Sequence, residues 1–240
     1  TDFAPHDQWL VENENTNYFF VAHDKMKEYL ISKDIPEEKI FVTGIPISNK
    51  FLEKYNKKEI FEKINLDDNK KTILFFGGGE FGLGKNRTVE IFESFMKSNE
   101  PIQVIAISGK NEKMKASFEE LMNEYKKQET TRILGFTNHV PELMAISDLV
   151  VTKPGGLTTS ESLASHIPML VINPIPGQEE ENAEFLEEQG IAVWIKKMDN
   201  PYFIIENLLS NEEKLGQMKQ NTFKLAKPNS TKDICNILVP

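Results

Sequence analysis

The chain has 240 residues, 39% of them hydrophobic and 27% charged, with a formal net charge of -9. That composition fits one large globular domain or one and a half smaller ones, and the acidic balance argues against a nucleic-acid backbone as partner, which needs clustered Lys and Arg. A single cysteine, Cys235, excludes an internal disulfide and fits a reducing compartment; with no apolar run near the ~18 residues of a membrane span and no signal peptide, the expectation is a soluble, cytoplasmic chain.

The opening, Thr1-Asp-Phe-Ala-Pro-His-Asp-Gln-Trp9, lacks Met and reads as part of something longer. Tyr18 to Ala22 reads as a buried strand. Asp24 is placed to cap the helix that follows, whose Met26, Tyr29 and Leu30 recur at helical spacing. Ile40 to Thr43 is a second short strand, closed by Gly44-Ile-Pro46. Residues 50–71 are polar and Lys-rich around a weak helix from Glu59 to Ile64, which suggests a boundary.

From Thr72 a regular alternation begins. Apolar strands are expected at 72–76, 102–107, 131–136, 148–152, 168–173 and 191–195. Between and after them come amphipathic helices near 86–97, 112–126, from Pro141, from Thr158, from Gln178, and at 201–209 and 211–226. Uniformly apolar strands separated by helices imply a parallel sheet covered on both faces, an α/β Rossmann-like fold. A last short helix with Ile234, Ile237 and Leu238 follows Pro228. The expected division is 1–50, a linker at 51–71, a ligand-binding domain at 72–227 and a terminal helix at 228–240.

The stretch from Lys153 to Asn182 holds two strand ends and two helix starts, which in a parallel sheet face the carboxyl edge where ligands bind. Its Pro154-Gly-Gly156 lets a ligand approach the backbone, and helix N-termini attract anions. Thr158-x-x-Glu161 is readable as a capping box, or as Glu161 accepting hydrogen bonds from a ribose diol while Thr158 and Thr159 bind phosphate. Gln178, Glu179 and Asn182 form either a polar first turn suited to the helix dipole or a set of donors and acceptors for sugar hydroxyls. Glu180 and Glu181 read as solvated.

An earlier loop, Gly77 to Lys85, carries five glycines in eight residues. As a dinucleotide fingerprint it lacks the acid after the second strand, which ends in Ser108-Gly-Lys110. As a Walker A loop it has Asn86 where Ser or Thr must hold magnesium. A glycine-lined phosphate nest remains. His6, His23, His139 and His166 are scattered, with His139 and His166 read as surface or cap residues. No metal-ligand spacing, Asp-x-Asp or nucleophile elbow occurs, so no metal site or cofactor is expected.

With these residues in view, the chain resembles the carboxyl-terminal part of a GT-B glycosyltransferase. The similarity is to the diacylglycerol glucosyltransferase and monogalactosyldiacylglycerol synthase family, with the lipid-linked GlcNAc transferase of peptidoglycan synthesis as a more distant relative. Thr43-Gly-Ile-Pro46, Gly77-Gly-Gly79, Ser108-Gly-Lys-Asn111, Gly135-Phe136, Lys153-Pro-Gly-Gly156 with Thr158 and Glu161, and Pro176-Gly-Gln-Glu179 with Asn182 carry it, and Thr1-Asp2, His6 and Trp9 match the acceptor-side pattern.

The resemblance implies a UDP-hexose donor, with Phe136 and Val140 at the uracil and Glu161 at the ribose. It puts Gly78, Gly79, Gly156, Thr158 and Thr159 around the diphosphate, and Gln178, Glu179 and Asn182 at the hexose. It further implies inverting, metal-independent transfer to a diacylglycerol-type lipid at the cytoplasmic face of a membrane. Residues 1–50 would be the tail of the acceptor domain, with His6 acceptor-facing and the general base upstream of Thr1, so these 240 residues would transfer poorly. The last helix would cross back to the acceptor domain. Three other readings stay open: a separate donor-binding subunit needing an acceptor-domain partner, a GlcNAc transferase acting on a polyprenyl-linked acceptor, and a UDP-sugar epimerase of related fold, which the Pro176-Gly-Gln-Glu179 stretch suits less well.

Overall fold

The structure, a computed structural model, describes residues 2–5, 7–10, 15–77 and 85–239. The first unit is a parallel pair, β1 (Phe19–Val21) and β2 (Ile40–Val42), joined through helix α1 (Asp24–Ser32). α1 begins one residue earlier than the sequence suggested. His23, not Asp24, is its cap: His23 is extended (φ -155°) and its Nδ1 accepts from the Met26 N–H at 3.4 Å. Asp24 becomes the first helical residue, where its charge still suits the dipole. The ring is held for capping because its other nitrogen lies 2.7 Å from the Phe3 carbonyl oxygen.

Helix α2 (Lys57–Ile64) leads into the main sheet, built from β3 (Lys71–Phe76), β4 (Ile102–Ile107), β5 (Thr131–Leu134), β6 (Leu149–Thr152), β7 (Met169–Ile172) and β8 (Ala192–Ile195). All neighbours are parallel, in the order β5-β4-β3-β6-β7-β8. In chain order that is 3-2-1-4-5-6, the doubly wound arrangement whose direction of winding reverses between its first and fourth strands. Here the reversal falls between β3 and β6, so the crevice at their carboxyl ends lies beside Gly77 and the Pro154-Gly-Gly156 turn.

β4, β6 and β7 are buried along their whole length, which is why they read as continuous apolar runs rather than alternating ones. Ile73, Phe75, Val104 and Val151 pack on one face against Phe92, Phe95 and Met96 of α3 (Lys85–Lys97), Phe118 of α4 (Glu112–Glu124), and residues of α8 (Pro201–Ser210) and α9 (Glu212–Leu225). Leu74, Ile105 and Val150 point the other way, onto Phe61 of α2 and Leu143 and Met144 of α5 (Val140–Ala145). The stretch 51–71, expected as a linker, therefore covers part of the sheet: Phe51, Ile60, Ile64 and Leu66 also pack there.

Beyond β6, Met169 and Val171 meet Leu163 of α6 (Gly156–Ala164) and Ala183, Phe185 and Leu186 of α7 (Gln178–Glu188). The same cluster takes in Phe3, Val21, Met26, Leu30, Ile40 and Ile45 of the first unit. The terminal helix α10 (Ser230–Leu238) returns to that unit, where Ile234 lines a cavity of about 180 Å³ with Phe19, Phe20, Val21 and Met26.

Candidate functional site

Three turns leave the carboxyl edge of the sheet around the β3–β6 reversal. After β3, the Gly77 N–H donates to the Ile107 carbonyl at 2.9 Å. Gly77 has no room for a side chain, because a Cβ there would fall under 3.0 Å from the Phe118 ring. Gly78 and Gly79, expected at the diphosphate, lie outside the described residues, as does His6.

After β6, Pro154 is buried and Gly155 is extended (φ -69°, ψ 146°); α6 starts at the next residue with no side chain capping it. The capping box read from the sequence is not formed. Two consecutive glycines turn the strand straight into the helix, so Thr158 falls at the third helical position instead of the cap, and its carbonyl accepts from Ser162 Oγ at 2.8 Å. The first N–H bonded inside the helix is that of Thr159, to the Gly155 carbonyl at 2.9 Å. An uncapped start leaves the preceding N–H groups directed at whatever occupies the crevice.

Thr158 is half-exposed, whereas Thr159 is fully buried, its hydroxyl without a partner among the described residues. Successive helical residues differ by roughly 100° about the axis, so the two threonines point in different directions. Glu161 is half-buried with no hydrogen-bond partner among the described residues, and burial alone pushes its carboxyl up to about 7 from its ordinary 4.5.

After β7, Gly177 adopts φ +92°, open to glycine without strain, and α7 begins at Gln178. Gln178 is half-exposed at the tip. Glu179 Oε2 accepts from the Ile175 N–H at 2.7 Å, while its Oε1 lies 3.9 Å from where a Gly155 Cβ would stand. Glu179 thus braces the third turn from within, beside the second. Glu180, read as solvated, closes the cap by accepting from the Gly177 N–H at 3.3 Å. Asn182 is fully buried and spends both amide hydrogens on protein oxygens, Asp2 Oδ1 and the Pro154 carbonyl, each at 2.8 Å.

At the other end of the sheet edge, Phe136 follows β5 with 66% of its surface exposed, and the Lys110 ammonium stands 5.8 Å from its ring centroid. Val140 opens α5 and packs on the core beneath. His139 pairs with Glu142 at 2.6 Å on the surface; His166 stacks on Phe223, centroids 3.7 Å apart, and burial lowers its pKa. Among the described residues no group of His, Cys, Asp or Glu is arranged to hold a metal ion.

Residues 56–225 match the family model described as "Glycosyl transferases group 1", and residues 1–47 match that of monogalactosyldiacylglycerol (MGDG) synthase. A processive diacylglycerol beta-glucosyltransferase of Bacillus licheniformis is 35% identical over 239 residues, covering 100% of this chain and 61% of the relative. The chain belongs to the group 1 glycosyltransferases.

It spans 61% of the length of that Bacillus relative. Two solved structures share the fold of this group 1 chain at lower identity. The structure of MurG from Acinetobacter baumannii is 18% identical with a TM-score of 0.68, over 96% of this chain and 61% of the other. That of UDP-GlcNAc 2-epimerase from Neisseria meningitidis, bound to UDP-GlcNAc, is 17% identical with a TM-score of 0.67, over 93% and 61%. The fold is that of GT-B glycosyltransferases. No helix of the described residues is long and apolar enough to cross a membrane.

Two supporting residues escaped the sequence reading. The His23 ring stacks on Phe185 of α7 with centroids 3.8 Å apart, and burial lowers its pKa. Arg87, at the start of α3, donates to the carbonyls of Lys196 at 2.8 Å and Asp199 at 2.7 Å, tying the turn after β8 to the helix that follows the first glycine loop. Both act between segments far apart in sequence, where no local pattern marks them.

Proposed function

We propose that this chain is the donor-binding part of an inverting, metal-independent glycosyltransferase. It would move a hexose from a UDP-sugar to a diacylglycerol-type lipid at the cytoplasmic face of a membrane. The observation that carries the reading is the pairing, at the point where the sheet reverses, of an uncapped helix start at Gly156 with the half-buried carboxyl of Glu161, which has no hydrogen-bond partner among the described residues. The first suits a diphosphate, through N–H groups and the positive end of the helix dipole. The second suits a ribose diol, whose two hydroxyls can satisfy a carboxylate that has no hydrogen-bond partner among the described residues.

The order of the other candidate residues along the sheet edge supports it. Phe136 follows β5, Lys110 follows β4, Gly77 follows β3, Gly155 follows β6 and Gln178 follows β7. From β5 to β7 is four strand spacings of about 4.8 Å. That gives room in a row for a stacked base, a ribose, a diphosphate and a hexose. The diacylglycerol acceptor and the beta product come from the relative's name, and a beta product from an alpha-linked nucleotide sugar requires inversion.

In this reading, negative charge grows on UDP as the glycosidic bond breaks. The α6 N-terminus stabilises that charge in the place where other enzymes use a metal ion. The 240 residues alone bind the donor and transfer slowly, because the acceptor's general base is not among the residues that the resemblance matches.

The test is calorimetric titration with UDP-glucose, UDP-galactose, UDP-GlcNAc and UDP, each with and without EDTA, on the wild type and on Glu161→Ala. Saturable binding of one sugar nucleotide above the others is expected, unchanged by EDTA and weakened roughly tenfold or more by the substitution, the scale of losing hydrogen bonds to a charged group. Absence of binding to all four would sink the reading; loss of binding in EDTA would sink metal independence alone.

A further inference from the structure

Asn182 was expected among the sugar contacts, but its surroundings assign it other work. Its Nδ2 donates to Asp2 Oδ1 and to the Pro154 carbonyl, both at 2.8 Å, and its Oδ1 accepts from the Phe3 N–H at 3.1 Å. A primary amide has two hydrogens to give, and neither is left for a hydroxyl. The side chain has no exposed surface. Three pieces of chain therefore converge on one amide: the opening segment, 180 residues away in sequence, the strand end that precedes Gly155-Gly156, and α7 itself.

The same opening segment is gripped a second time. Phe3 is buried, its carbonyl lies 2.7 Å from His23 Nε2, and the His23 ring stacks on Phe185, three residues beyond Asn182 on α7. Asp2 and Phe3 are thus fixed between the first unit and the helix that follows the third turn.

We infer that Asn182 is a positioning residue that couples the Asp2–Phe3 segment to Pro154, and through Pro154 sets the start of α6. Asp2 holds the amide in the rotamer that reaches the Pro154 carbonyl. Pro154 fixes the entry of Gly155, and Gly155 supplies the carbonyl that receives the first helical N–H of α6. The inference rests on the reading of that helix start as the diphosphate subsite. It makes the opening segment, and not only the residues at the crevice, a determinant of nucleotide affinity.

The experiment titrates UDP and UDP-glucose into the wild type, Asn182→Ala, Asp2→Ala, Asp2→Asn and the Asp2→Ala/Asn182→Ala double variant. Without nucleotide, it also follows amide exchange of Thr159, whose N–H donates to Gly155. Asn182→Ala and Asp2→Ala are expected to weaken UDP and UDP-glucose by the same factor, roughly five- to tenfold, the scale of one buried hydrogen bond. Thr159 exchange should speed up by a similar factor. The double variant should be no weaker than the worse single one, since both remove one coupling. Asp2→Asn, which keeps an acceptor oxygen, should restore wild-type behaviour.

A sugar-reading Asn182 would leave UDP binding intact, lose UDP-glucose selectively, and make Asp2→Ala silent. A merely structural residue would lower the thermal midpoint while leaving both affinities and the Thr159 exchange of the folded protein unchanged. Either result overturns the proposal. If the wild type binds neither nucleotide, the proposed function falls, and Thr159 exchange in Asp2→Ala still decides the coupling, unchanged exchange overturning it. Should Asn182→Ala not fold, the two variants at half-exposed Asp2 carry the test by themselves.

Discussion

Glu161 combines a raised carboxyl with the lack of a hydrogen-bond donor to it among the described residues. Burial raises its carboxyl to about 7 and no protein group in the described structure offsets that. In the free protein the sign is that of a raised acid: the folded state holds the proton more tightly than the unfolded chain. Stability from this group is therefore present below the unfolded value of 4.5 and lost as pH rises towards 7. For binding the sign reverses, because ribose hydroxyls donate and so favour the carboxylate. Affinity for UDP-glucose should fall roughly tenfold from pH 8 to pH 6, where a proton must be released on binding. UDP-glucose is the probe, since a terminal phosphate has a second pKa near about 6 that would obscure the effect. Calorimetry across that range should show the slope in the wild type and a flat profile in Glu161→Gln; a flat wild-type profile would remove Glu161 from the ribose. Glu161 is legible in the sequence as a candidate, because strand end, glycine pair and acid lie within a few residues of one another. The hydrogen bonds of Asn182 to Asp2 and Phe3 were not legible, since they are set by tertiary packing that no local spacing encodes.

Helix α6 shows what a local pattern can and cannot fix. Thr158-x-x-Glu161 has the spacing of a capping box, and an isolated peptide of that sequence would be free to use it. In the folded chain the helix start is decided by Gly155 and Gly156, which carry β6 directly into the helix and leave its first N–H groups uncapped. The same preference of tertiary setting over local signal moved the α1 cap from Asp24 to His23. An uncapped helix start is a stability cost that a ligand site explains, and this suggests a substitution. Gly155 has extended backbone angles that any residue adopts, and the nearest atom to an added Cβ is Glu179 Oε1 at 3.9 Å, ordinary contact. Gly155→Ser should therefore cap α6 and stabilise the protein by about 0.5–1 kcal/mol, from the new cap and a less flexible unfolded chain. The same hydroxyl would occupy the N–H groups meant for phosphate, so UDP affinity should drop roughly tenfold. Denaturant unfolding and calorimetry on one preparation check both halves. Stabilisation with undiminished UDP binding would mean that the diphosphate lies elsewhere along the edge.

Across the molecule, the alternation of apolar strands and amphipathic helices made the parallel sheet legible from Thr72 onward, because buried strands have to be apolar throughout. The strand order, and with it the position of the crevice, is not written in any one segment: it follows from long-range strand pairing and from the reversal after β5. Least legible was how residues 1–50 join the rest. A polar, Lys-rich stretch at 50–71 suggests two units with a flexible join. Yet Phe3, Val21, Met26, Leu30, Ile40 and Ile45 share one core with Leu163, Met169, Val171, Phe185 and Ile191, and Phe61 of the intervening stretch is only 7% exposed against the sheet. Burying such side chains contributes about 1.5–3 kcal/mol each. A short parallel pair such as β1–β2 has too few strands to be stable by itself, so it should unfold with the sheet that it packs on. The two tryptophans fall on either side of the join, Trp9 in the opening segment and Trp194 on β8. In urea, the Trp194 fluorescence of a Trp9→Phe variant follows β8, and amide exchange of Gly44, whose N–H donates to the Val21 carbonyl, follows the first unit. Both transitions should coincide with the loss of helix by circular dichroism, in a single step, and saturating UDP should move both together. A first unit whose Gly44 exchanged freely at lower urea than the helices unfold would show two separable units, and would leave the Asp2–Asn182 tie too weak to set the start of α6.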